Sequence, residues 1–221
     1  MTINSKNKSV LVIGGAGYIG SHVVLELCEH GHDVTVFDNL STGHKMNIDS
    51  RAKFICGDIL NTDELASVFS NSYDVVFHFA ALKAAGESML EPGKYSTANI
   101  TGTINILNLM IENNFPNIIF SSTAAVYGIP DYLPIDEDHP LKPINFYGFT
   151  KLEIEKLLYW YSELKGLKYS TLRYFNAAGY DPAGRIMGLE KNSQNLLPII
   201  METAVGIQNS MQVYGDDYNT P

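Results

Sequence analysis

Val10-Leu11-Val12-Ile13-Gly14-Gly15-Ala16-Gly17-Tyr18-Ile19-Gly20 sets the architecture of this chain. An apolar run stops at once at glycines, as a buried parallel strand does on entering a tight turn. From Tyr18 to Glu29, Ile19, Val23, Val24 and Leu27 recur at helical spacing on one side. Gly31 follows, where a residue with positive φ closes a helix. Val34 to Phe37 is a second apolar run and ends at Asp38. Strand, glycine turn, helix and strand make a βαβ unit.

Working outward, the alternation continues. Lys53 to Cys56 reads as a strand, Asp63 to Phe69 as a short helix and Val75 to Phe79 as a strand. Thr97 to Asn113 reads as a helix whose apolar stripe is Ile100, Ile104, Leu107 and Ile111. Ile118 to Ser121 is the next strand, Phe146 to Leu164 the next helix, and Tyr169 to Tyr174 the last strand. Strands separated by helices imply a parallel sheet covered on both faces, and right-handed crossovers make it doubly wound. The expected class is therefore α/β with the Rossmann topology. Two stretches break the rhythm. Gly128 to Pro143 holds four prolines and a cluster of acids. Asn176 to Asn195 is rich in Gly, Asn, Asp and Pro. Both read as loops.

Composition narrows the function classes. The 221 residues are 45% hydrophobic, enough for one large core. A net charge of -9 argues against nucleic-acid or anionic-membrane partners. An anionic small ligand stays open, because a helix N-terminus sets its own local field. The two cysteines, Cys28 and Cys56, have neither disulfide nor zinc spacing, and no histidine pair has metal spacing. Met1 to Ser9 is polar and lacks the apolar centre of a signal peptide, and no apolar run has membrane-spanning length. A cytoplasmic protein is expected.

The glycine run satisfies both G-x-x-G-x-x-G and G-x-G-x-x-G. Gly14, Gly17, Tyr18, Ile19 and Gly20 would bring backbone N–H groups and a helix N-terminus against a pyrophosphate. Asp38, at the end of the second strand, can accept hydrogen bonds from ribose hydroxyls and repels a 2′-phosphate. Asn39 follows it and no arginine is near, so the sequence favours NAD over NADP. Asp58, with Ile59 beside it, follows the third strand and can reach an adenine amino group or simply cap a turn. Phe79, Ala80 and Ala81 follow the fourth strand, and small residues there let a cofactor backbone lie close. Lys83 can meet a ribose, phosphate or substrate oxygen.

A second constellation carries chemistry. Tyr147-Gly148-Phe149-Thr150-Lys151 has Y-x-x-x-K spacing, which puts both side chains on one helix face. A free phenol titrates near about 10, so only about one in a thousand is ionised at neutral pH. A neighbouring ammonium and a positive nicotinamide ring are expected to lower it until Tyr147 serves as a general base. Thr123 closes the fifth strand at its carboxyl end and can pass a hydrogen bond between a substrate hydroxyl and Tyr147.

With these motifs in view, the chain resembles the extended short-chain dehydrogenase/reductase family, and within it the members that epimerise nucleotide sugars. The resemblance rests on Gly14 to His22, Asp38-Asn39-Leu40, Leu82 to Ser88, Ser121 to Gly128 and Arg173 to Asn176. Asn195 to Pro198 and Tyr214 to Tyr218 add to it. It implies NAD-dependent inversion at C4 of a UDP-hexose through a 4-keto sugar, with Tyr147, Lys151 and Thr123 catalytic. It implies that Asn99, Tyr174 and Phe175 border the cofactor. Asn176, Asn195, Leu196 and a strand of Gln212, Val213 and Tyr214 would hold the UDP-sugar. It implies a homodimer built on the helix that carries Tyr159, Trp160 and Tyr161. Residues 1–175 would then form the NAD-binding domain. Residues 176–221 would begin a substrate-binding region that similar proteins continue with an arginine for the diphosphate. A related dehydratase would need an acid pair after Thr123, where this chain has Ala124 and Ala125. A sister epimerase acting on a different UDP-sugar, or a non-catalytic NAD-binding protein, would carry the same fold.

Overall fold

The computed structural model describes residues 7–186, 196–213 and 215. The chain divides into two compact units, Met1–Leu189 and Glu190–Pro221. The first is a six-stranded sheet built from β1 (Ser9–Ile13), β2 (Asp33–Asp38), β3 (Lys53–Cys56), β4 (Val75–His78), β5 (Asn117–Thr123) and β6 (Lys168–Tyr174). Every pairing is parallel and the order is β3-β2-β1-β4-β5-β6. The order reverses between β1 and β4, where Ile13 lies between Phe37 and His78. The doubly wound topology expected from the sequence is the one found.

Alternate residues of β1 serve opposite cores. Leu11 and Ile13 pack with Leu65, Phe69, Ile106, Leu107, Ile154 and Leu158 on one face. Val10 and Val12 pack with Val24, Cys28, Val34 and Val36 on the other. Helices α1 (Tyr18–Glu29) and α2 (Thr62–Phe69) begin and end close to their expected bounds. Gly31, at φ 76°, donates its N–H to Cys28 O, and the His32 N–H reaches Leu27 O, so α1 closes as its sequence implies. Asn61 caps α2 by accepting from the N–H groups of Asp63 and Glu64.

Three departures mark the next stretch. Ala85–Leu90 forms a short helix, α3, where the sequence shows no stripe. Pro92–Tyr95 forms α4, with the proline in the first turn, where a missing N–H costs nothing. The expected helix from Thr97 begins as a wider π-helical turn, Ser96–Thr101, before α5 (Gly102–Glu112). The Thr103 hydroxyl donates to the Asn99 carbonyl at 2.6 Å and supports that turn. Gly102 follows it, and a Cβ there would sit 2.4 Å from Ile59 Cδ1 and displace that side chain. Helix α6 (Phe146–Lys165) starts at the Asn145 cap and ends at Gly166, φ 74°. Residues 124–126 form a 3-10 turn after β5.

His78 is wholly buried in β4. Its Nε2 lies 2.9 Å from Thr103 Oγ1. The Thr103 proton already serves the Asn99 carbonyl, so Nε2 carries a hydrogen and donates it to Thr103 Oγ1. Burial, aided by the Lys151 charge, pushes its pKa down to about 3 from 6.5. The unfolded chain takes up this proton below 6.5 and the folded chain does not until near 3, so stability falls as pH drops through that window. The expected loss from this group is roughly 3 kcal/mol at pH 4. Urea unfolding at pH 7, 5 and 4 should show that slope flattened in His78→Gln.

In the second unit, α7 (Leu196–Ala204) has no buried residue. The strand expected at Gln212 and Val213 is not formed; both are exposed and outside regular structure. An extended segment becomes a strand only when a neighbour pairs its backbone groups, and among the described residues that unit holds no second strand. Asn195 and Tyr214 lie outside the described residues. No described helix is long and apolar enough to cross a membrane, and no described cluster could hold a metal.

Candidate functional site

A groove opens at the carboxyl ends of the strands, on the switch point between β1 and β4, where α/β sheets bind ligands. Gly14 and Gly17 line it from the turn after β1, and Asp38 and Asn39 from the end of β2. Asp58 and Ile59 line it after β3, and Phe79, Ala80 and Ala81 after β4. Ser41, Thr42 and Ala98 line it as well, although no periodicity in the sequence points to them.

Close packing explains the glycines. Gly14 has φ 82°, and a Cβ on it would lie 2.4 Å from Ala80 N. A Cβ on Gly20 would lie 2.3 Å from Gly14 O, so α1 starts flush against the turn. Gly17 is the N-cap of α1 and has no side chain to cover the first-turn N–H groups, and no acid occupies that turn. By contrast, α2 and α6 are closed by Asn61 and Asn145. Tyr18 is expected at the cofactor; its hydroxyl donates to Gly179 O, and its ring meets His22 and Tyr180 at centroid distances of 5.2 and 5.6 Å.

Asp38 is nearly buried and holds the groove together. One carboxylate oxygen accepts from Ala16 N at 2.9 Å and the other from Leu40 N at 2.8 Å. Asp58 accepts from Leu60 N at 2.8 Å and from Asn39 Nδ2 at 2.9 Å. Lys83 is exposed in the loop after β4. Asn99 is buried, and its amide is committed to protein. It accepts from Leu82 N at 2.8 Å and donates to Leu82 O and Thr150 Oγ1, both at 3.0 Å.

The reacting constellation lies at the ends of β5 and β6 and the start of α6. Thr123 pairs with Tyr174 across the two strands. Its Oγ1 accepts from Ala125 N at 3.1 Å, which leaves its proton to give. Tyr147 is largely enclosed. Burial pushes its phenol above the ordinary value, and a hydrogen bond with Thr123 pulls the other way. This departs from the expectation that Lys151 depresses it. The Lys151 ammonium is committed elsewhere, 2.8 Å from Ser121 O and 4.6 Å from the centre of the Phe120 ring. Helical spacing put the two residues on one face but said nothing of how dry that face is. Lys151 is 2% exposed, and burial brings its pKa down to about 7 against the opposing pull of Glu155.

Glu155 drew no notice in the sequence, though it lies one turn beyond Lys151. It accepts from Ser122 Oγ at 2.5 Å and from Arg173 Nη2 at 2.7 Å. Arg173 also reaches the Tyr127 hydroxyl at 3.0 Å and lies 5.0 Å from the centre of that ring. Phe175 is exposed and stacks on Tyr127, and Asn176 is exposed beyond it. Leu196 opens α7 and is exposed.

Fold and site together define a Rossmann-type α/β protein with a Thr-Tyr-Lys constellation at the carboxyl edge of its sheet. The sequence pattern of the NAD dependent epimerase/dehydratase family matches residues 10–216, and the chain belongs to that family. It is 46% identical over 212 residues to the UDP-glucose 4-epimerase of Lactobacillus helveticus, covering 96% of this chain and 64% of that protein. The crystal structure of UDP-glucose 4-epimerase from Brucella ovis in complex with NAD superposes with a TM-score of 0.93 at 42% identity, covering 97% of this chain and 66% of that one. The structure from Bifidobacterium longum in complex with NAD+ and UDP gives 0.91 at 38%, covering 96% and 67%. The chain thus spans just under two thirds of the length of the curated relatives it matches.

Proposed function

We infer that this protein inverts C4 of a UDP-hexose, interconverting UDP-galactose and UDP-glucose, with NAD as its cofactor. The observation that carries the reading is the pairing of Thr123 with the enclosed Tyr147, one turn from a buried Lys151, beside the glycine-lined groove. The residues present fit an NAD. The uncapped first turn of α1 offers N–H donors to a pyrophosphate. Asp38 lines the same groove with a carboxylate suited to ribose hydroxyls. Ala80 and Ala81 leave its floor shallow.

When bound, the nicotinamide supplies reversible two-electron oxidation at the sugar C4. Tyr147 removes the proton of the 4-hydroxyl as that carbon is oxidised to the ketone, and returns it when the ketone is reduced from the other face. Its phenol is held high by burial, and the positive charge of an oxidised nicotinamide bound beside it would act in the opposite direction. Thr123 donates to the phenol oxygen and stabilises the ionised form. Lys151, one turn along the same helix, is held at Ser121 O, and Glu155 opposes the loss of its charge. Lys83 and Asn176 would hold the nucleotide sugar from this unit, while Asn99 acts from beneath by fixing Leu82. After Thr123 come Ala124 and Ala125, whose methyl groups cannot move the protons that dehydration of the sugar needs.

The test is to incubate the protein with NAD and UDP-galactose and follow UDP-glucose. Its appearance, with no net NADH, supports the reading. Bound NAD without turnover would leave only a dinucleotide-binding protein. A homodimer also belongs to this reading. Tyr159, Trp160 and Leu164 are exposed on α6, and with Ile111 of α5 the last two border an apolar groove suited to a second copy. Sedimentation at micromolar concentration should give twice the chain mass; a monomer would count against it.

A further inference from the structure

The short helix α3 has no signature in the sequence, yet it touches the helix that carries the phenol at its first turn. The Tyr147 N–H donates to Ser88 Oγ at 2.9 Å, and the Ser88 proton goes to Ala85 O at 2.6 Å. Ser88 is completely buried, so neither bond has water as a substitute. The neighbouring Phe146 N–H points at Met89 Sδ, 3.3 Å away, and Asn145 takes the Gly148 N–H at 2.8 Å. The opening N–H groups of α6 are therefore closed by residues of α3 and by its own cap.

Helix α3 is in turn fixed from below. The hydroxyl of the buried Tyr95 lies 2.9 Å from both Ala84 O and Glu87 Oε2. One helical turn further along, Asn99 grips both backbone groups of Leu82 and reaches Thr150 Oγ1. The Thr150 hydroxyl donates to Tyr147 O at 2.8 Å. Tyr147 is thus held through its N–H from α3 and through its carbonyl from Thr150, and both chains of bonds run back to the loop after β4.

Resting on the proposed epimerase activity, we propose that Ser88 is a positioning residue for Tyr147, locking the phenol's helix turn in register with the loop that lines the cofactor groove. Ser88 touches neither the reacting atoms nor the groove. It acts by fixing the backbone from which the phenol projects, and small displacements of a reacting group cost rate far more than binding.

The test compares Ser88→Ala with Asn61→Ala, which removes a cap of similar worth from α2, away from the reacting constellation. In hydrogen exchange, Ser88→Ala should speed the amides of residues 146–148 at least about tenfold while the later turns of α6 keep their protection. In turnover, Ser88→Ala should lower kcat about tenfold or more with KM for UDP-galactose within about twofold, and Asn61→Ala should leave both near wild type. Unchanged exchange at 146–148 overturns the proposal. So does a kcat no lower than that of Asn61→Ala. A wild-type protein that turns over no UDP-galactose overturns the functional reading itself, whereas active wild type with equally active Ser88→Ala overturns the positioning role alone.

Discussion

Tyr147→Phe should abolish nearly all epimerisation while leaving the fold and the NAD complex intact. The substitution removes one oxygen from an enclosed ring and leaves the ring's packing in place. Without that oxygen α6 loses the group that the proposed reaction places beside Thr123 to take the proton from the sugar 4-hydroxyl, while Lys151 is held at Ser121 O. General acid–base groups of this kind contribute roughly 10²- to 10⁴-fold in rate, so kcat should fall by about that factor with little change in KM. Circular dichroism and NAD retention should match the wild type. A contrast sharpens the result. Thr123→Val removes the hydrogen bond that opposes the upward push of burial on the phenol. The ionised fraction at neutral pH then drops, and raising the pH should restore part of the lost rate. No pH should restore Tyr147→Phe. If Tyr147→Phe keeps more than about a tenth of the wild-type kcat, the phenol is not the base.

Gly14→Ala should be the most damaging single methyl in the first unit's ligand-bearing edge. Two independent costs fall on it. The backbone at φ 82° is a left-handed conformation that an L side chain adopts at a cost of about 1 to 2 kcal/mol. The added Cβ would also meet Ala80 N at 2.4 Å and Ala80 Cα at 2.8 Å, atoms of a backbone that cannot swing aside. Overpacking of this sort adds about 1 to 3 kcal/mol. Relief requires the ends of β1 and β4 to separate, which are the two walls of the groove. The expected loss is about 2 to 5 kcal/mol, seen as a melting temperature lower by roughly 5 to 15 °C. NAD should fail to bind even below that temperature. The same change at Gly86, where an added Cβ meets nothing within 4 Å, should leave both nearly unchanged.

How much of this was legible in the sequence follows from the range over which each feature acts. The apolar runs of β1, β2 and β4 are buried on both faces, so they read as strands without any knowledge of their neighbours. The glycine turn and Asp38 sit at fixed offsets from those strands and could be placed with them. Tyr147 and Lys151 were found because helical spacing is local. Their electrostatics were not, because burial comes from β5 and the loop after β4 rather than from α6. Ser88 and Tyr147 are 59 positions apart, and Asn99 and Thr150 are 51. No periodicity links them, and only the folded sheet brings them together. Helix α3 went unread for a related reason. Gly86 and Pro92 look like breakers in isolation, but Gly86 lies in the first turn of a helix whose cap residue, Ala84, is bonded by Tyr95, and Pro92 merely opens a new turn.

Asp38 carries a lesson for anyone redesigning coenzyme preference. Both of its oxygens are already engaged by the chain, one by Ala16 and one by Leu40. Swapping it for a small neutral residue to welcome a phosphorylated adenosine would loosen the glycine turn along with the selectivity filter. Drift in that direction demands a simultaneous replacement anchor for those two amides, which makes the preference hard to reverse one mutation at a time.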